Sequence, residues 1–528
     1  MPYSECGFAD GVAISGQTHQ QRLAFLPRSN LQEHDSMAQF KVIIVGSGLA
    51  GNLLGNGLIN NDIEVEVYEC LARDAKREGY QIRLGASALM GMRACLTKEH
   101  IDQVVKKFGR AGGKFASAPI LYDKDFNVIL NANRFPTYDK SAPISRKILR
   151  DILAEPVDQA GKLFYNKSFS RYDVLNPHTP KEKIAVHFDD GTSSECDILI
   201  AADGAHSKVN QQVGLNNLKT VTSHQSFLAK VDLPTSRYLQ MADELLKSPV
   251  AIASDNRVLY FCAYLPDKAT PTPASQTSKT NIPHDFDESI SSCFFGYAVP
   301  TDDVPENLKE AALSEKWDYI SGQFRKYWSP KYGEIIDLLR DGDIYQYQGR
   351  VSMRPPANWR EKAKSNGVVE RGHPRVLLVG DAIHAMLPNR YFTKHSVTQP
   401  HSGYSSTATN QYDEYRGMGG NQAMRDTSVL LPILVKLAKK CHSTGKGLVL
   451  ADLNAACKEY EDEMIPRGFG WVRKSGGDTL MIADSNTWTG LAFMYTMGVL
   501  MDVAFAFYWL SSFVYSWKWI DEAPEFQS

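Results

Sequence analysis

The sequence predicts an α/β fold built around a Rossmann-like dinucleotide-binding unit. Three observations carry that expectation. A short apolar run, Phe40–Val45, leads directly into Gly46-Ser47-Gly48-Leu49-Ala50-Gly51. An amphipathic stretch and then a second strand, Glu64–Tyr68, follow, ending at an acid, Glu69. Two more strand-to-turn junctions, Asp197–Gly204 and Arg375–Asp381, lie far downstream.

The first junction has a specific physical sense. A strand of this length and apolarity suits a buried parallel sheet. Gly46 permits the tight turn, Gly48 lets backbone approach a pyrophosphate, and Gly51 packs helix on strand. The helix start offers N–H groups and a positive dipole end to phosphates. Glu69, 18 residues after Gly51, is placed to accept hydrogen bonds from a ribose. This pattern alone does not separate FAD from NAD.

Composition removes several other classes. The 528 residues hold 58 basic and 60 acidic side chains, a formal charge of −2, without the basic surplus of a nucleic-acid partner. An apolar fraction of 43% excludes wholesale disorder. The length suits two to four domains at roughly 100–200 residues each. Eight cysteines with no Cys-x-x-Cys pair argue against a disulfide scaffold or thiolate zinc site. They read as thiols of a reducing compartment. Residues 1–36 are polar and lack an apolar signal core, so secretion is not expected. They are either a disordered tail or untranslated, with synthesis starting at Met37.

The second junction continues Ala202-Asp203-Gly204, and the third Gly380-Asp381-Ala382-Ile383-His384-Ala385-Met386-Leu387-Pro388. Further on comes Gly417-Met418-Gly419-Gly420-Asn421. In this order and spacing the chain resembles the single-component (group A) FAD-dependent monooxygenases of the aromatic-ring hydroxylase family, and within it the fungal secondary-metabolism enzymes. The match covers about residues 38–475.

The resemblance implies a Rossmann-like FAD-binding domain with an inserted mixed-sheet substrate lobe, followed by an apolar helical tail. The implied division is a disordered extension over 1–37 and FAD-domain parts at 38–215 and 365–475. A substrate lobe covers 216–364, with lobe strands also near 113–139, and the tail covers 476–528. It also implies that Gly46, Gly48, Gly51 and Glu69 hold the ADP half of FAD, and that Asp203 and Gly204 lie by the pyrophosphate. Asp381 would hold the ribityl chain and flavin. A family Arg-x-x-Leu segment falls at Arg146, which could instead pair with Asp151 or Glu155 on a helix surface; Arg83 is a second candidate. Gly419, Gly420 and Asn421, opening an apolar-periodic helix over 422–438, would aim a helix N-terminus at the negative charge of reduced flavin.

The implied reaction has NAD(P)H reduce FAD, O2 add to the reduced flavin, and a C4a-hydroperoxide transfer oxygen to a small hydrophobic aromatic or polyketide-type substrate. A flavin-dependent reductase on the same fold is the alternative. A halogenase is not favoured, because no Trp-x-Trp-x-Ile-Pro segment occurs. No catalytic base or metal cluster is indicated. His384 is read as structural, and Asn210 stands where the family often has Arg, which weakens any docking argument for the nicotinamide. The strand Val258–Tyr264 could line an aromatic pocket or be core, with core favoured, and Pro266–Ser289 reads as a loop.

Residues 391–416 interrupt the third motif with polar sequence of neither period, and long structureless loops inside compact domains are uncommon. The favoured explanation is a translated retained intron. Removing the segment joins Arg390 to Gly417, and the codons allow GTA at its start, TAYAG at its end and an ACTAAC branch point. The alternatives are a genuine active-site lid, or a membrane-tethered pseudoenzyme disabled by the insertion. In the tail, 491–517 carries Asp502 as its single charge and is long enough to enter a bilayer, with Trp509, Trp517 and Trp519 suited to an interface. Two packed helices, 491–501 and 503–517, are the alternative. The expected location is therefore cytoplasmic or membrane-associated.

Overall fold

The computed structural model describes residues 40–75, 81–107, 119–131, 142–246, 248–264, 290–364, 367–387, 418–475 and 484–513. The N-terminal extension, the loop at 266–289 and the insertion at 391–416 lie outside the described residues.

Five strands form a parallel sheet in the order Val376–Leu378, Ile198–Ala201, Lys41–Val45, Glu64–Tyr68 and Leu163–Phe164. Ile198–Ala201 and Val376–Leu378 are wholly apolar, as strands buried on both faces are, whereas Glu64–Tyr68 alternates half-buried Glu64 and Glu66 with buried Val65 and Val67. Val42, Ile43, Ile44, Leu199 and Ile200 are fully buried. The observed strands begin or end a residue or so inside the predicted runs.

The helix Leu49–Ile59 holds Asn52, Gly55, Asn56 and Gly57, all weak helix formers. Packing compensates. Asn56 donates to the Leu153 carbonyl at 2.7 Å, and the small residues let the helix press on the sheet and on the long helix Met418–Thr444. That helix starts four residues before the predicted 422 and runs six past 438. Gly419, Gly420 and Asn421 therefore lie within its first turn rather than ahead of it.

A second, seven-stranded sheet runs Ile344–Tyr347, His224–Pro234, Ile290–Pro300, Arg257–Tyr264, Val250–Ser254, Ile120–Tyr122 and Val128–Asn131. It is mixed, because Ile120–Tyr122 pairs parallel to Val250–Ser254 while the other pairs are antiparallel. One face carries Phe227, Leu259, Phe261, Phe295 and Tyr297 against Trp317 and Phe324 of the helix Leu313–Tyr327. The Val258–Tyr264 run thus contributes core through Leu259 and Phe261, while half-buried Tyr260 and Cys262 alternate to the other face.

Arg375 ties distant segments of the FAD-type unit together. It is 1% exposed and donates from Nε to Glu182 at 3.0 Å and from Nη1 to the Asp197 carbonyl at 3.0 Å. Glu182 carries the compensating charge, so the buried guanidinium is paired.

The tail is one continuous helix, Trp488–Ser512, that passes through Asp502. The two-helix alternative does not hold; Val503 and its neighbours continue the hydrogen-bond ladder.

The helix Ala86–Cys95 crosses Met418–Thr444 at Gly91, where a Cβ would overlap the Met424 carbonyl. Gly91→Ala is expected to lower stability by about 1–3 kcal/mol through overpacking, read as a lower urea midpoint. An unchanged midpoint would mean the crossing relaxes freely.

Candidate functional site

The ends of Lys41–Val45, Ile198–Ala201 and Val376–Leu378 lie side by side, with Val45 opposite Ala201 and Ala201 opposite Leu378. The turns that follow them carry all three glycine-acid motifs. Ligands of open parallel sheets bind at such carboxyl ends, where strand order reverses.

Gly46 has φ +107°, and a Cβ there would collide with the Ala202 carbonyl. The first and second motifs therefore touch through a residue that must be glycine. A Cβ on Gly51 would likewise strike the Gly46 carbonyl. At Gly48 and Gly204 a Cβ would meet nothing within 4 Å. These two backbone positions border open space, as an approach to a pyrophosphate demands. Gly48 is also the N-cap of Leu49–Ile59 and offers no side-chain acceptor to its N–H groups.

Glu69 accepts from the Ser47 N–H at 3.1 Å and the Leu71 N–H at 3.0 Å, which pins the carboxylate beside the glycine turn. Asp203 accepts from the Lys208 N–H at 3.0 Å through Oδ2, while its buried Oδ1 has no partner among the described residues. Burial raises the Asp203 carboxyl pKa, against the opposing Ser207 and backbone N–H groups. Asp381 is exposed, with other charged groups close by. Burial raises its pKa, while His384 and Arg146 oppose the shift. Arg146 thus belongs to the same electrostatic neighbourhood as Asp381. Asp151, its predicted alternative partner, is taken by Arg150 at 2.6 Å. Arg83 lies on the strand Gln81–Leu84, opposite Pro143 of Ala142–Ser145; its side chain is outside the described residues.

The start of Met418–Thr444 closes the other side. A Cβ on Gly419 would sit 3.6 Å from both Asp381 Oδ1 and Met386 Cγ. Asn421 accepts from the Gly85 N–H at 2.8 Å, and a Cβ on Gly420 would lie 3.5 Å from Leu49. Asp381 and Met386, before the insertion, therefore lie beside Gly419, after it.

Residues to which the sequence assigned no cofactor contact hold this arrangement. Asp426 is fully buried and accepts from the Gly380 N–H at 2.8 Å, from Arg467 at 2.8 Å, and lies 2.7 Å from His384 Nε2. Its signal was a lone acid on the apolar face of Met418–Thr444. Asn210 is buried and donates to the Ala382 carbonyl at 2.7 Å and to Asn217 at 2.8 Å. It stitches the second motif to the third. His384 is wholly buried beneath the third motif, which agrees with a structural place.

The strand Arg257–Tyr264 of the seven-stranded sheet approaches Ala142–Ser145, the strand leading into Arg146. On that sheet Tyr260 and Phe294 stand 5.9 Å apart by ring centroid. No cluster of potential metal ligands occurs among the described residues.

No family model matches the chain. It is 24% identical over 447 residues to the FAD-dependent monooxygenase thnD of Trichoderma harzianum, covering 82% of this chain and 91% of that protein. With the FAD-dependent monooxygenase dbaB of Emericella nidulans it shares 29% identity over 177 residues, 32% of this chain and 41% of that one. An FAD complex of a Klebsiella pneumoniae HpxO variant has the same fold, with a TM-score of 0.54 at 18% identity over 83% of this chain and 89% of that one.

Burial alone would depress His384, but the Asp426 carboxylate outweighs it and the net pKa shift is upward. A raised histidine contributes stability that is complete below its unfolded value of about 6.5 and is lost as pH rises through its folded value. The stability advantage of the native chain over His384→Gln is therefore expected to shrink from pH 6 to pH 9 in urea unfolding. A constant gap would mean a neutral ring throughout, consistent with the unpartnered Nδ1.

Proposed function

We propose that the chain, similar to FAD-dependent monooxygenases in sequence, uses NAD(P)H and O2 to hydroxylate or epoxidise a small hydrophobic substrate. An electron-rich aromatic polyketide is the first choice and an alkene or indole the second. The observation that carries this proposal is the convergence of three motif turns on adjacent strand ends, closed by the start of Met418–Thr444.

In this proposal Gly46, Gly48, Gly51 and Glu69 hold the ADP half of FAD. Asp203 and Gly204 border the pyrophosphate, with the unpartnered Oδ1 of Asp203 aimed at a ligand or its water. Asp381 holds the ribityl chain, with Arg146 and Arg83 nearby on the chain's entry to Arg146–Gln159. Gly419, Gly420 and Asn421 turn the positive end of a 27-residue helix toward the flavin ring. Bound FAD supplies the electron transfer and oxygen activation that no side chain provides. The protein's part is to orient it and to keep water from the reacting centre. Tyr260 and Phe294 are proposed as one wall of the substrate space.

The same proposal divides the chain as the sequence suggests, with 216–364 as the substrate lobe. It also treats 391–416 as dispensable. With that segment removed, Pro388, Asn389, Arg390 and Gly417 connect Leu387 to Met418, and four residues span up to about 14 Å. Met386 and Gly419 already lie close together.

Two outcomes test this. Gly48→Val leaves room for its side chain, so the fold should persist while bound flavin, read by visible absorption, falls at least about tenfold through blocked pyrophosphate approach. Retained flavin would overturn the assigned cradle. The chain lacking 391–416 should purify with FAD at least as well as the full chain, and show substrate-dependent NAD(P)H consumption with matching O2 uptake. Loss of flavin in the short form would show that the segment is needed. NAD(P)H consumption without O2 uptake would indicate a reductase.

A further inference from the structure

We propose that the tail helix Trp488–Ser512 is a bilayer anchor, docked by its first half on the substrate-lobe sheet and seated by its second half in lipid.

The docking is built in detail. Asp484 accepts from the N–H groups of Asp255 and Asn256, both at 2.8 Å, which form the turn of the Val250–Tyr264 hairpin. Asn486 donates to Asp255 at 2.6 Å and accepts from Lys124 at 2.7 Å. Thr487 caps the helix by accepting from the Gly490 N–H at 3.1 Å. Leu491, Phe493 and buried Met494 then pack on Leu121, Ile129, Ala251 and Ala253. Gly498 is the last close approach, where a Cβ would lie 2.9 Å from the Ile129 carbonyl.

Beyond Gly498 most of the described side chains are exposed. Val499, Leu500, Val503, Phe507, Leu510 and Phe513 are 56–72% exposed. From Val499 to Phe513 the polar residues are Asp502, Tyr508, Ser511 and Ser512, and apolar side chains occur on every side of the axis. A helix apolar all round belongs either in a protein core or in lipid. Among the described residues this half contributes no buried side chain to a core, and most of it is exposed. A second copy of the chain would cover one stripe and leave the remaining sides wet, whereas a bilayer covers them all. The described length from Val499 to Ser512 is about 21 Å at about 1.5 Å per residue, which reaches well into a hydrocarbon core of roughly 30 Å. Asp502 is one turn past Gly498. It therefore sits near the protein and the headgroup level, not at the membrane centre, where an acid is costly.

The anchor has a consequence for the enzyme, one that rests on the proposed function. Tyr260 packs against the same apolar patch as Leu491 and Phe493, on the sheet face away from the lobe's helices. Lipid held at this helix would border the proposed substrate wall, which suits a substrate dissolved in the membrane.

The test uses the full chain, purified in mild detergent and mixed with phosphatidylcholine–phosphatidylserine vesicles before detergent removal. Flotation should carry the protein with the vesicles. Val503→Glu/Phe507→Glu/Leu510→Glu should reduce the floated fraction at least about tenfold, because the charges would enter hydrocarbon, with flavin content unchanged as the sign of an intact fold. Equal flotation of both forms would overturn the anchor, and so would a native chain that stays with the solution. A native chain that stays in solution as a defined dimer, broken to monomer by the same substitutions, would assign the face to a second copy instead. Flotation and flavin content do not depend on turnover, so failure of the anchor and failure of the monooxygenase proposal are separate results.

Discussion

The buried carboxylate of Asp426 is the interaction on which the cofactor region depends. It receives the Gly380 N–H and an Arg467 guanidinium, and stands within hydrogen-bond distance of His384. Burial would raise its pKa, but the two cationic neighbours and the Gly380 N–H hold it below the usual carboxylate value. An ionised acid in so dry a place is stable only with its partners in position. That requirement fixes the third-motif turn against Met418–Thr444 and against the helix Leu450–Lys474 together.

The same logic recurs where distant segments join. Asn210 bonds Asn217 and the Ala382 carbonyl, and Asn217 bonds the Met353 and Ile383 carbonyls, both at 2.9 Å. Arg375, Glu182 and the Asp197 carbonyl form a second such knot. The apolar core supplies the driving force, yet it is tolerant of register. Buried polar groups are not, since each leaves a donor or acceptor bare if it shifts. A chain that builds one FAD-type unit from separated stretches uses these knots to align them.

Much of the strand-turn-helix geometry around the glycine turn was legible beforehand because it is local. Gly46 through Gly51 and Glu69 lie within one strand-turn-helix-strand unit, and the period of the apolar residues exposes it. The helix starting at Met418 was placed four residues late, because its first turn is glycine-rich and carries little periodic signal. Arg146 was ambiguous, since a helix-surface arginine has local acids to pair with. Its relation to Asp381 depends on two segments over 200 residues apart. The tail was recognised as apolar, but two short helices and one long one share the same composition.

By itself, the sequence determined the α/β class, the strand-turn motifs and the residue types that suit FAD, because each depends on neighbours a few positions away. Tertiary structure alone decided that three turns meet at one edge and that Asp426 and Asn210 hold them there. It also decided that Met386 and Gly419 lie close together across the insertion, and that the first half of the tail helix packs on the sheet while most described side chains of the second are exposed. The physical reason is common to all four. They depend on long-range partners, whose identity is set by sheet order and helix crossing rather than by any pattern along the chain.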